Sequence, residues 1–89
     1  MAREADQIAQ DHAAMLGSVS VMTSVIATHN KGSDATSEDF GHDMTHDEKK
    51  ARVARSNGYL VYMKALEDWG DESFTEIDKA ITAANSFTG

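Results

Sequence analysis

Four histidines and fifteen carboxylates are the side chains of this sequence best suited to chemistry. Their spacing offers one pair worth testing. His42 and His46 lie four apart, beside Asp43 and Asp47. On one helix, two imidazoles at that spacing project together and can share a divalent metal. A complete site needs further ligands, and Asp39 or His12 are the sources at hand. However, Thr45-His46-Asp47-Glu48 reads as a capping box. The box starts a helix at about residue 46 and leaves His42 outside it. The simpler reading is a solvated loop, so no metal and no cofactor are assigned. His12 reads as a partnered bundle histidine, and His29 as a favourable cation at a helix C-terminus.

Nothing else has the setting of a catalytic group. There is no cysteine, and the six glycines are isolated, so no phosphate-cradling loop exists. The carboxylates are many, but acid–base work needs a concave pocket that shifts their pKa values. The chain therefore reads as a non-enzyme with no catalytic residues.

Two surfaces point to binding instead. Arg52, Arg55, Tyr59, Tyr62, Leu66 and Trp69 fall on one helical line, basic at one end and aromatic at the other. This line has two readings. It is the large half of a helical core with the arginines snorkelling at the rim, or it is exposed and built from hot-spot residue types. The second surface is acidic. Glu67, Asp68, Asp71, Glu72, Glu76 and Asp78 cluster where two helices join. Such a cluster attracts basic partners and steers association. The predicted partner-binding set is Arg52, Arg55, Tyr59, Tyr62, Trp69, Glu67, Asp68, Asp71 and Glu72.

These residues must be positioned by helices. Met1, Ala5, Ile8, His12, Met15, Val19, Met22, Ile26 and His29 alternate in steps of four and three, the seam of an amphipathic helix. The spacing predicts a first helix over about 3–28. Ser18 to Val25 also alternates like a strand, but the only other candidate strand is 59–63, and two strands make a poor sheet. His29-Asn30-Lys31-Gly32 reads as the stop. Residues 30–44 form an acidic polar connector, with Phe40 and Met44 as apolar anchors and one possible helical turn at 37–40. The capping box opens a second helix over about 46–69, with Glu48 placed to pair with Arg52. Ser73-Phe74-Thr75-Glu76 opens a third over about 74–86. On the second helix, Ala51, Ala54, Gly58, Val61 and Ala65 make a line of small residues that lets another helix approach closely. If the two stripes face inward, Val53 and Leu60 face outward.

The chain thus reads as one all-α domain, a small bundle of three main helices. Eighty-nine residues give a marginal core without disulfides to staple it. No stretch is long and apolar enough to span a membrane, and no signal peptide is evident. The absence of cysteine fits a cytoplasmic setting, the host cytoplasm for a viral protein. A formal charge of −7 argues against nucleic acid as a partner. The functional expectation is a small acidic protein-interaction module acting stoichiometrically. Its concrete form is a regulator or inhibitor of the kind viruses and mobile elements encode, docking on the basic, nucleic-acid-binding surface of another protein. The alternative is a homo-oligomeric structural or assembly protein built on the long first helix.

Overall fold

The computed structural model describes residues 4–66 and 69–88. It is an up-down-up bundle of three helices: α1 (Ala5–Lys31), α2 (His46–Lys64) and α3 (Thr75–Thr88). Among the described residues there is no strand, and Ser18 to Val25 is helical throughout. At 1.5 Å per residue α1 is about 40 Å long, close to the 48 Å longest dimension of the molecule. The two shorter helices pack against it, and each pair of helices is in contact.

The N-terminal seam supplies much of the core: Met15 and Met22 are fully buried, with Ile8, Val19 and Ile26 packed beside them, and Val25, off the seam, is fully buried as well. Gly32 ends the helix at a positive φ (+57°), within the expected stop, and the helix itself runs to Lys31, three residues past 28. α3 contributes Ile77, Ala80 and Ala84 to the same core.

The second helix is turned the opposite way from the inward reading of its stripes. Val53 and Leu60 are both fully buried. They are the residues α2 contributes to the centre. The small line Ala51, Ala54, Gly58, Val61 and Ala65 faces solvent along its whole length. The reason lies in side-chain chemistry. Val and Leu carry no polar atom, whereas burying the other line would strip water from two arginines and two phenols.

Helix ends follow the expected capping only in part. Thr45 and Glu48 form the capping box, Thr45 Oγ1 accepting from Glu48 N at 3.1 Å and Glu48 Oε1 accepting from Thr45 N at 2.8 Å. The Glu48 carboxylate is engaged there, and Arg52 Nε is buried with no hydrogen-bond partner among the described residues. The expected Glu48–Arg52 pair therefore gives way to the cap. At α3 the Ser73 hydroxyl meets the Thr75 amide (3.4 Å), and the helix starts one residue later than expected and runs two further. α2 stops at Lys64 rather than Trp69.

The connector is held by polar bonds. Its short helical piece is a 3-10 turn at Gly32–Asp34, not at 37–40. Buried Thr28 places its hydroxyl 2.8 Å from both Ser24 O and Phe40 O. Phe40 anchors the loop through that carbonyl, while its ring is half exposed. Lys31 meets Asp39 at 2.6 Å, and Asp39 also accepts from Thr36 N. These bonds, led by the lysine, hold the Asp39 carboxyl below the usual carboxylate range.

Truncating the α2 core contact tests this orientation. Leu60→Ala is expected to lower unfolding free energy by about 2–5 kcal/mol. Tyr62→Ala is expected to change it by no more than about 0.5 kcal/mol. Urea titrations followed by circular dichroism measure both. A reversed order of the two effects overturns the assigned face of α2.

Candidate functional site

Two clusters of imidazole and aromatic rings close the ends of the bundle. At one end His12 reaches from α1 to the chain joining α2 and α3. Its Nε2 donates to Ser73 O at 2.7 Å. Its Nδ1 lies 3.3 Å from Glu72 Oε2. The ring stands edge-on to Phe74 (5.9 Å) and Trp69 (6.5 Å), which pack edge-on to each other at 5.4 Å. Trp69 Nε1 donates to Met63 O at 3.1 Å, which covers an end carbonyl of α2. These groups position the turn.

At the other end His46 stacks on His29 with centroids 4.3 Å apart, and Phe87 stands edge-on to both. His46 thus turns away from the metal pair its spacing suggested. His42 instead sits 3.4 Å from Asp43 in the exposed connector. Among the described residues no group of three or more His, Cys, Asp or Glu side chains could hold a metal ion. Burial, then repulsion from His46 and Lys49, lowers the His29 pKa below its ordinary value.

The candidate contact surface is the outer face of α2. Tyr59, Val61, Tyr62 and Leu66 are 38%, 51%, 59% and 39% exposed. Residues 56–63 carry no charge, so Tyr59, Val61 and Tyr62 stand on an uncharged stretch of α2, with Leu66 just past its end. The small residues Ala54, Gly58, Val61 and Ala65 run along its α3 side. A shallow open groove of about 330 Å³ lies there, lined by Val61, Lys64, Ala65 and Ile81. Two polar pairs join α2 to α3 beside it: Asn57 Nδ2 donates to Asn85 Oδ1 (2.9 Å), and Lys64 pairs with Asp78. Each pair is seven residues from the other on both helices, which fixes the antiparallel register.

The chain matches no known protein family, no curated protein and no solved structure. The site must therefore be judged on its geometry.

The structure gathers some of the predicted binding residues and removes others. Arg55, Tyr59 and Tyr62 share the exposed face, with Arg52 half-buried at its edge. Trp69, expected with them, is buried at 8% exposure and belongs to the core, because the helix ends before it and the chain folds back. Asp71 is exposed; Glu72 is half-buried against His12. Glu67 and Asp68 lie outside the described residues. Val61 and the groove beside Ile81 were missed as binding features. The small-residue line was their signal, and only the position of α3 shows that it borders a groove.

The His29 environment sets a pH dependence. Its folded pKa lies below the ordinary imidazole value of 6.5. In the window below 6.5 the unfolded chain takes up a proton that the folded chain resists, so stability falls as pH falls. Melting temperature is expected to drop between pH 7.5 and pH 5, and His29→Gln is expected to flatten that drop. A wild-type melting temperature that stays level or rises on acidification overturns this reading.

Proposed function

We propose that this protein is a small, non-catalytic protein-interaction module that binds stoichiometrically through the outer face of α2. The observation that carries this reading is the exposed, uncharged strip of Tyr59, Val61, Tyr62 and Leu66 on an otherwise acidic molecule. A contiguous apolar patch bordered by charge marks an interaction site on a small soluble domain. Tyrosine and arginine at its centre are the residue types that carry binding energy.

The acidic turn beside this strip supports the regulator form of the reading. Exposed Asp71 and Glu76 would meet Lys and Arg of a partner while the tyrosines enter an apolar cleft. The strip supports contact with protein rather than nucleic acid, which calls for clustered exposed bases. No helix among the described residues is long and apolar enough to cross a membrane. An assembly role built on α1 has less support, because Met15, Met22 and Val25 already fill the interior of the single chain.

Affinity purification with the native chain and with the Tyr59→Ala, Tyr62→Ala double variant tests the reading. A specific partner is expected on the native chain and is expected to be lost, or weakened at least about tenfold, on the variant. Asp71→Lys and added salt are expected to slow association with a basic partner. Partners retained equally by both chains would overturn the assignment of this face.

A further inference from the structure

The four histidines divide by what stands against their rings. His12 has Glu72 at 3.3 Å, and His42 has Asp43 at 3.4 Å. His29 and His46 have each other, stacked with centroids 4.3 Å apart, and Phe87 beside both. Among the described residues no carboxylate pairs with either of these two rings. On α1, Lys31 is occupied by Asp39. On α2, Lys49 lies close enough to repel a charged His29. Glu48 is held in the cap at Thr45, Asp47 pairs with neither ring, and Lys50 adds a further positive charge. α3 carries no ionisable side chain from Ala80 to Thr88. In the connector Asp39 meets Lys31 and Asp43 meets His42. Acid therefore brings more positive charge to a place that already holds an ammonium and has no carboxylate to receive it.

We propose that the stacked His29–His46 pair is a latch on the third helix, closed at neutral pH and opened by mild acid. Opening frees α3 beyond Ile81 while the His12 end of the bundle stays shut. The device stands apart from the contact face on α2 and does not rest on it.

The moving element is α3 because the other two helices stay tied at this end. Thr28 holds Phe40 O at 2.8 Å, Lys31 holds Asp39, and the Thr45–Glu48 box secures the start of α2. Past Ile81, α3 gives the core only Ala84 and Phe87, with one hydrogen bond from Asn57 to Asn85. Phe87 is the one large side chain of that half, and the histidine pair is its seat. Charged imidazoles repel each other and turn to water, which removes the seat. A charged His12 instead meets the Glu72 carboxylate, so the opposite end keeps its tie. The lowered His29 pKa agrees with this arrangement. A histidine that stays neutral in the closed end and titrates at 6.5 in the open one favours opening by up to about thirtyfold at pH 5. Local opening of this kind involves one end of a domain without global unfolding.

Fluorine NMR on the full chain tests the latch, with all three phenylalanines replaced by 4-fluorophenylalanine. Phe87 reports the latch, Phe74 the His12 end and Phe40 the connector. Between pH 7.5 and pH 5 the Phe87 signal is expected to move toward its position in urea, a rise of about tenfold in the ratio of open to closed. The Phe74 signal is expected to stay near its folded position, and helical circular dichroism to fall by no more than the last turns of α3. Lys49→Glu places a carboxylate beside the pair, as Glu72 stands beside His12. That variant is expected to hold the Phe87 signal at its folded position at pH 5. A Phe87 signal unmoved by acid overturns the latch. So does joint movement of Phe74 and Phe87, which is unfolding of the whole bundle, or a Lys49→Glu chain that opens as the native one does.

Discussion

Burial of Val53 and Leu60 against the α1 seam decides what this protein shows to its surroundings. A helix can turn only one arc inward. Once these two side chains occupy the centre with Met15, Met22 and Ile77, the opposite arc of α2 is committed to solvent. That arc carries Arg55, Tyr59, Val61 and Tyr62. The exposed tyrosine strip is thus a direct consequence of the core and needs no separate device. The core partners are small or flexible: Ala80 and Ala84 on α3, and methionines on α1. They leave room for Val and Leu but not for two phenols with hydroxyls needing water or a partner.

The centre alone is thin for a domain of this size, and the two ends reinforce it. His12 ties α1 to the α2–α3 turn through Ser73 O and Glu72, with Trp69 and Phe74 around its ring. His29, His46 and Phe87 bring one terminus of each helix together at the opposite end. Edge-on and offset ring pairs add about 0.5–1.5 kcal/mol beyond the area they bury. In a chain without disulfides, these clusters do what staples do in other small domains. They also make the His29 end of the bundle the acid-sensitive one, because burial and the neighbouring His46 and Lys49 lower the His29 pKa.

The proposed contact surface follows from what the core left outside. The outer arc of α2 combines an aromatic line and a line of small residues. Gly58 sits in open space. Each feature alone is ordinary. Together they are the features on which the proposed contact surface rests.

The sequence by itself determined the helices. The four–three alternation from Ala5 to His29, the Thr45–Glu48 capping box and the glycine stop are local signals, because a helix is made of bonds and contacts within four residues. They were enough for the fold class and for the inward face of α1, whose apolar stripe is unambiguous. On α2 the same reasoning failed to choose. Val53 and Leu60 are only two residues, and the line from Arg55 to Leu66 looked at least as apolar. Which arc turned inward depended on the shape offered by α1 and α3, a property of residues far away in sequence. Trp69 moved from surface to core for a related reason: α2 ended five residues early, and the returning chain carried the indole onto Met63 O and the His12 ring. Local spacing records which residues share a line on a helix; only packing among three helices decides which line meets water.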